Sequence, residues 1–451
     1  MHPSAGSGNS VGEQAAAYAV GQAVSFPLNL LFDLLIARTL GPAMRGQWFL
    51  MIAAVTFVAN VLSLSIPAYA VYRLGKEPAA AGPLNVAVLT YAAIVGGLGA
   101  AAALLLSRLG LPLPILGLGT PHVYAMAGVL VAAELYIICA AGLLTGLSRV
   151  QVLSRLNVAT AVVTLVVGAG PVVLLRPSAV GALTSYLLAR AIAAVVMARV
   201  VGAARDGWGQ GSAALVREML RFGAAGQVGN LAVLTYQRVN LFLVAAITGA
   251  QSVGYYSVAE SLSTRLAVLV GPLQVAFAPR ISGASASAAA RWTAQLVRIA
   301  GLLLLCVGVP LIGLAGPLLR GLYGDDFAPA AAAFRLLLPA SALTMAASLV
   351  AVFFSGHAGR PMINSVVSLA TMAISIPVSY VLVRSFGMAG GAWSALTSGV
   401  VIFALVYGVF VARTRLAFRA GLVPEKADWD VLRDIARAVF RFGRPRGIRE
   451  P

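Results

Sequence analysis

The chain has 451 residues, of which 60% are apolar and only 10% are charged. Soluble domains carry about 25% charged residues, so this composition excludes an ordinary soluble fold. The net charge of +18 raises the question of nucleic-acid binding. However, the arginines are scattered at the ends of apolar runs and form no basic domain, so we exclude a nucleic-acid partner. Basic loops of a membrane protein explain the charge better.

Apolar segments follow one another along the chain, each long enough to cross a hydrocarbon core of about 30 Å as a helix. Stretches such as RLGKEPAAAGP and LYGDDFAP separate them. The pattern predicts an all-α polytopic membrane protein with about 12 transmembrane helices. We place them at 14–38, 46–72, 83–107, 121–147, 152–175, 179–203, 219–248, 253–279, 295–319, 330–355, 361–383 and 388–412. The first is interpreted as a retained span, since no basic segment typical of a signal peptide precedes it.

The distribution of Lys and Arg predicts the orientation. Twelve spans place both termini on one side, and that side holds 22 of these residues against seven on the other. Basic loops stay in the cytoplasm, so both termini are expected there. In the polar tail from Arg413, Trp429, Leu432 and Ile435 recur at helical spacing. Two interpretations stay open: an amphipathic helix on the inner leaflet, or a solvated tail.

The residues that carry enzyme chemistry form no recognisable pattern. Cys139 and Cys306 lie inside apolar runs, and His2, His122 and His357 are far apart. They match no zinc, redox or nucleophile spacing. A membrane-bound polymerase or ligase would also need a large external loop, and the predicted loops are short. We therefore expect a protein that is not an enzyme and has no metal or cofactor.

Two halves of the chain share the same glycine spacing. Gly41 and Gly249 are 208 residues apart, as are Gly46 and Gly254. GLSRVQVLSRLN and GHAGRPMINSVV precede the fifth and eleventh spans at an offset of 210 to 211. An offset of six spans preserves orientation, so the halves are predicted to be parallel repeats. We expect Gly41 and Gly249 to form tight turns between two helices in their respective halves.

The repeat predicts two parallel six-helix lobes around a central cavity, working by alternating access. It divides the chain into a cytoplasmic N-terminus (1–13), a first lobe (14–203), a cytoplasmic linker (204–218), a second lobe (219–412) and a basic cytoplasmic tail (413–451).

Several stretches resemble one family in their order and spacing. ARTLGPAMRGQWF, SVGYYSVAESL and LYGDDFAPAAAAFRLLLPA are similar to motifs of the oligosaccharide flippases, a branch of the multidrug/oligosaccharidyl-lipid/polysaccharide exporter superfamily. The resemblance covers residues 14–412. It implies transfer of a lipid-linked oligosaccharide, of the undecaprenyl diphosphate type, from the inner to the outer leaflet of the bacterial inner membrane. A polysaccharide polymerase and glycosyltransferases are the partners that it implies.

Ionisable residues inside a span are costly and indicate a cavity or an ion pair. Six lie deep in the predicted spans: Asp33, Glu134, Arg190, Arg238, Glu260 and Arg265. Glu134 and Arg190 both belong to the first lobe, and we predict a structural pair. The other four accompany polar stripes at helical spacing. Gln22, Ser25 and Asn29 precede Asp33 in the first span, and Gln227 and Asn230 precede Arg238 in the seventh.

A diphosphate that leaves water needs cationic donors. We therefore predict Arg238 and Arg265 as its ligands, helped by Asn29, Gln22 and Asn230 along one hydrated cavity. Two alternatives stay open. The arginines could only balance Glu260 and Asp33, or these two carboxylates could bind a coupling cation or proton.

Two other functions remain as alternatives. A cation-coupled multidrug exporter of the same superfamily should favour anionic and aromatic residues in its cavity, whereas this chain has arginines there. A lipid II flippase usually has two further spans, and the residues after Arg413 are too polar to supply them.

Overall fold

The computed structural model describes residues 11–108, 121–174, 177–203, 213–265 and 284–426, with isolated positions at 270–281 and 428–433. No strand occurs in these ranges, and the chain has the predicted all-α fold. In the first half, α1 is Val11–Leu62, α2 is Ile66–Lys76, α3 is Ala81–Arg108, α4 is Pro121–Gly146, α5 is Val150–Val163, α6 is Gly170–Leu174 and α7 is Ala179–Gly202. A π-helical segment, Thr164–Ala169, joins α5 to α6.

The second half repeats this order. Its helices are α8 at Ala213–Thr248, α9 at Ala250–Thr264, α10 at Ala286–Gly313, α11 at Ala315–Tyr323, α12 at Ala330–Val352 and α13 at Pro361–Thr414. A π-helical segment, Phe353–His357, extends α12. The predicted eighth span, 253–279, begins earlier than expected, at Ala250, and its later part lies largely outside the described residues.

Two long helices account for four of the predicted spans. Nine helices of the described chain are long and apolar enough to cross a membrane, and two of them cover 43 and 53 residues. At 1.5 Å per residue, each of these is about twice as long as a hydrocarbon core is thick. α1 breaks at Gly41 and α13 at Gly387, the one non-helical residue inside each. When each of these two long helices is counted as two crossings and the shorter α9 is added, the nine helices give twelve crossings, which is the predicted number of spans.

The second predicted span, 46–72, is wrong as a single helix. α1 ends at Leu62, and α2 begins at Ile66. Leu64 and Ser65 between them have φ of 44° and 53°, a left-handed conformation that stops a helix. Pro67 follows in the first turn of α2, where it fits because no amide proton is needed there.

Each half forms its own helical bundle. In the first lobe α4 packs against α2, α3 and α7, and α1 packs against α5. In the second lobe α13 packs against α8 and α12, and α12 packs against α9. The lobes meet along α1 and α9, and again where α2 contacts α8. The structure therefore has the two lobes that the repeat predicts, and the interface between them runs along the first two crossings of each half.

The repeat is visible in the backbone. Gly41 has φ 68° and ψ 175°, and Gly249 has φ 82° and ψ 179°. This conformation is essentially restricted to glycine. Ser148 and Gly359, which are 211 residues apart, also share a positive φ, at 56° and 61°. The predicted tight turns are confirmed, and the two sequence offsets mark equivalent positions.

A second pair of repeat glycines holds the lobes together. A Cβ on Gly46 would lie 1.7 Å from the carbonyl oxygen of Ala250, and one on Gly254 would lie 1.9 Å from that of Pro42. Both distances are impossible for real atoms, so only glycine permits this approach of α1 to α9. The contact is reciprocal, as expected for two parallel repeats facing each other.

Part of the C-terminal segment is anchored to the second lobe. Arg298 on α10 bonds Asp428 at 2.6 Å and also contacts the Ala420 carbonyl and Glu425. Asp428 is buried. This contact ties Asp428 to the second lobe, while most side chains between Arg415 and Lys426 are exposed. The two forms predicted for the tail stay predictions. Arg298, near the start of the predicted ninth span, is buried in this contact. Leu432 and Ile435 of the predicted amphipathic stripe lie outside the described residues.

Candidate functional site

The first-lobe cavity has a volume of about 310 Å³ and is lined by the polar stripe of α1. Gln22, Ser25 and Asn29 face it, together with Arg190 from α7. Arg190 bonds both carboxylate oxygens of Glu134 at 2.6 Å, and the hydroxyl of Tyr186 donates to the same carboxylate at 3.3 Å. The predicted pair is present, and both of its members have their charge-bearing groups satisfied.

The second-lobe cavity has a volume of about 210 Å³ and contains Arg238 and Glu260. One Nη of Arg238 contacts Oε1 of Glu260 at 3.1 Å, while Oε2 is buried with no hydrogen-bond partner among the described residues. The Arg238 side chain is 32% exposed. This pair is thus held by a single contact and keeps polar atoms that a ligand or water can bond.

An interlobe cluster of five residues, Asp33, Arg45, Ser257, Arg265 and Tyr323, lies between α1 and the second lobe. Arg45 is fully buried and donates to an Asp33 carboxylate oxygen at 2.8 Å, to the Asp33 carbonyl at 3.0 Å and to Ser257 at 3.1 Å. The Tyr323 hydroxyl donates to the other Asp33 oxygen at 2.7 Å. The cluster joins the lobes at the end of the molecule that carries Gly41.

Arg265 lies at the edge of this cluster and is bound less tightly. Its Nη2 is 3.8 Å from Asp33 and donates to the Asn29 carbonyl at 3.2 Å, while its Nε is buried without a partner in the described chain. The guanidinium also lies 5.9 Å from the ring centre of Phe26. Because Asp33 already has Arg45 and Tyr323, it does not depend on Arg265 for its charge balance.

The sequence predicts one hydrated cavity, but the structure places the predicted residues in separate sites. Gln22 and Asn29 face the first-lobe cavity, and Arg238 and Glu260 face the second-lobe cavity. Arg265 and Asp33 belong to the interlobe cluster, and Asn230 is exposed on α8 and lines neither cavity. Gln22, Ser25 and Asn29 do share one face, but the neighbouring helices place the other predicted ligands elsewhere.

Sequence reasoning missed Arg45 and Tyr323. Arg45 falls between the first two predicted spans, yet its side chain is the most completely buried charge in the interlobe cluster. Its neighbour Gly46 was the available signal. A repeat glycine that permits helix contact places the adjacent side chain inside the interface. Nothing in the sequence around Tyr323 indicates a partner 290 residues away.

On the other side of the interface, α2 meets α8. Gln227 is buried there, accepts from Ser65 at 3.1 Å and donates to the carbonyls of Asn60 and Val61 at 3.2 and 3.0 Å. A Cβ on Gly223 would lie 1.7 Å from the Leu64 carbonyl oxygen. These bonds show a structural role for Gln227, which the sequence had grouped with Arg238 on one polar face.

No group of three or more His, Cys, Asp or Glu side chains that could hold a metal ion occurs in the part of the chain that the structure describes.

Solved structures with this arrangement of helices are transporters. A multidrug resistance MATE family transporter of the MOP superfamily is 17% identical in its outward-facing form, with a TM-score of 0.61 over 90% of this chain and 95% of that one. The inward-facing form of such a transporter gives 16% identity and 0.63 over 88% and 99%. A MOP superfamily transporter from Pyrococcus furiosus, whose reversed pocket polarity suggests a different function, gives 15% and 0.63 over 91% and 98%.

The chain therefore has the fold of these proteins, with several helices long and apolar enough to cross a membrane. The model of the polysaccharide biosynthesis protein family matches residues 11–285, and the chain belongs to that family. No curated protein matches the chain.

Proposed function

We propose that this transporter moves a lipid-diphosphate-linked oligosaccharide from the inner to the outer leaflet of the bacterial inner membrane, by alternating access of its two lobes. The lipid carrier would be of the undecaprenyl diphosphate type. Glycosyltransferases would supply the unit, and a polysaccharide polymerase would use it. The family supports the polysaccharide pathway, and the fold supports transport. Both termini are proposed to be cytoplasmic, with the five segments divided as the repeat indicates.

The observation that carries the proposal is how four arginines at the cavities and the interlobe cluster use their donors. A guanidinium has five N–H groups. Arg45 donates three bonds, and Arg190 holds both oxygens of one carboxylate. Within the described chain, Arg238 and Arg265 each donate a single bond, to Glu260 and to the Asn29 carbonyl. These two arginines therefore keep donors for a diphosphate, whereas the other two are committed to the fold.

Bidentate bonds from arginine suit phosphate oxygens well. Arg238 lies in the second-lobe cavity, and Arg265 lies at the edge of the interlobe cluster. A diphosphate that passes between the lobes would meet Arg265 beside Asn29, and the polar stripe with Gln22 continues along α1. We propose Arg238, Arg265, Asn29 and Gln22 as substrate ligands. Asn230, which is exposed on α8, is proposed only as a contact for the sugar.

Of the two carboxylates considered for coupling, Glu260 is the better candidate. Asp33 accepts from Arg45 and Tyr323, so its charge is committed to the interlobe cluster. Glu260 has one contact, and its other carboxylate oxygen is buried without a hydrogen-bond partner among the described residues. A cation-coupled multidrug exporter is the second candidate function, supported by this carboxylate and by the MATE fold. A lipid II flippase would use the same cationic groups.

The test of the proposal is what accumulates in cells without this protein. We expect the lipid-linked unit to be made and retained in the inner leaflet, while polymer disappears from the surface. A lectin applied to right-side-out and inverted membrane vesicles measures the leaflet. If cells that lack the protein cannot make the lipid-linked unit, the protein acts in synthesis. Unchanged polymer together with increased drug sensitivity would favour the exporter.

A further inference from the structure

A recess of about 530 Å³ lies at one end of the second lobe, apart from both polar cavities. Four helix ends meet around it. They are the start of α10 at Ala286, the π-helical end of α12 at His357, the start of α13 beside Arg360 and the end of α13 at Arg413. Ends of membrane-spanning helices lie at the depth of the lipid headgroups. We call this feature the Arg360 recess.

The Arg360 recess is lined by hydrogen-bond donors and positive charge. Arg360, Arg413 and His357 border it, and no carboxylate occurs among the described residues that line it. Neither arginine forms a salt bridge within the described chain. The first turn of α10 adds backbone amides at Ala286 and Ser287.

The start of α10 favours an anion for a second reason. Ser285 precedes this 28-residue helix, but its side chain makes no capping hydrogen bond. The first amides of a helix have no partner inside the helix, and the aligned peptide dipoles place partial positive charge there. A helix N-terminus beside two arginines is the arrangement that proteins use for phosphate.

The apolar part of the recess indicates where the phosphate comes from. Phe353 and Phe354 are buried in its wall, and Ile363 lies beside them. The His357 ring lies 5.4 Å from that of Phe353. Basic pockets between transmembrane helices bind the headgroups of anionic lipids. We infer that the Arg360 recess binds the phosphate of an anionic membrane lipid, whose first apolar atoms contact the phenylalanines.

The first lobe has the same backbone turn but lacks two of the three polar side chains. The offset of 211 that relates Ser148 to Gly359 places Arg149 against Arg360. By the same offset, Gly202 is the repeat equivalent of Arg413, and Gly146 is the repeat equivalent of His357. The backbone of this turn is duplicated, but two of the three cationic or donor side chains occur in the second lobe alone. The duplicated scaffold therefore does not require them, which is expected of residues that serve a ligand.

The purified full-length protein in neutral detergent provides the test. It is titrated with dioctanoyl phosphatidylglycerol, with dioctanoyl phosphatidylcholine and with inorganic phosphate. We expect phosphatidylglycerol to bind most tightly. The double variant Arg360→Ala and Arg413→Ala should bind it more than about tenfold more weakly, because it loses charge-assisted bonds. The matched control is Arg415→Ala with Arg419→Ala, which removes two exposed arginines that do not line the recess.

Each result supports or overturns the inference. Wild-type affinity of the control, with wild-type melting of both variants, supports it. An equal loss in both double variants would show that only overall charge attracts the lipid. Equal affinity for the two phospholipids, or equally tight binding of inorganic phosphate, would also overturn it. If the Arg360 and Arg413 variant unfolds, Arg360→Lys with Arg413→Lys must retain binding. None of these readouts depends on the transported substrate.

Discussion

The polar cavities of the two lobes contain the same kind of ion pair in different environments. Glu134 and Arg190 in the first lobe form two bonds of 2.6 Å, and Tyr186 adds a third contact. Arg238 and Glu260 in the second lobe form one contact of 3.1 Å, and one oxygen of Glu260 has no partner in the described chain. The first pair is built into the fold, while the second keeps its bonding capacity.

Neither pair has a counterpart in the other lobe. The offset of 208 places Arg238 against Leu30 and Glu260 against Ile52. By contrast, Gly41 and Gly249 occupy equivalent positions with the same backbone conformation. Duplication preserved the geometry of the turns and of the helix contacts, and the charged residues were placed in each lobe separately. Departure from the repeat is thus common to both pairs, and the unused bonding capacity of Arg238 and Glu260 is what distinguishes the second.

The largest expected effect is on the first-lobe pair. Glu134→Gln leaves the Arg190 charge inside the lobe without its partner, and breaking a buried pair in this way costs about 3–5 kcal/mol. We expect a strongly lowered melting temperature and little folded protein in size-exclusion chromatography. Glu134→Gln with Arg190→Gln removes both charges and should recover much of the loss. Wild-type melting of the single variant would contradict the structural role.

The repeat glycines should give a smaller, matched effect. Gly41→Ala and Gly249→Ala each place a Cβ on a backbone conformation that costs about 1–3 kcal/mol outside glycine. Neither new Cβ meets an atom within 4 Å, so strain is the only penalty. The two variants should lower the melting temperature by similar amounts, and Gly408→Ala, inside α13 with open space, is the control. A very different fall in melting temperature in the two variants would show that the two turns are not equivalent.

The smallest effect on stability is expected in the second-lobe pair. Glu260→Gln removes one contact to an arginine that is about a third exposed, and screened pairs are worth about 0–1 kcal/mol. Abundance and melting should therefore stay close to wild type, while transport falls if Glu260 couples it. Surface polymer per folded protein measures this. A fall in melting temperature as large as that of Glu134→Gln would show that the two ion pairs do not differ in their structural role.

The sequence predicted much of the fold because hydrophobic length and glycine spacing are local signals. Most of the spans and the duplicated turns follow from them, and the Glu134–Arg190 pair follows from the cost of charge inside a span. The interlobe cluster was not predictable in the same way. Arg45 and Tyr323 meet Asp33 only because α1 packs on the second lobe, over separations of up to 290 residues. Helical spacing shows which residues share a face, but it does not show which neighbour that face meets.

The most direct test of the central claim is transport by the purified protein in liposomes. Vesicles contain a fluorescent lipid-diphosphate oligosaccharide, and a membrane-impermeant quencher reports how fast it changes leaflet. Removing one charge-assisted contact costs about 1.5–3 kcal/mol, so Arg238→Ala with Arg265→Ala should move the lipid no faster than protein-free vesicles. Lysine at both sites should restore part of the rate, since a point charge still attracts phosphate. Wild-type rates in the double alanine variant, at equal amounts of folded protein, would contradict the account.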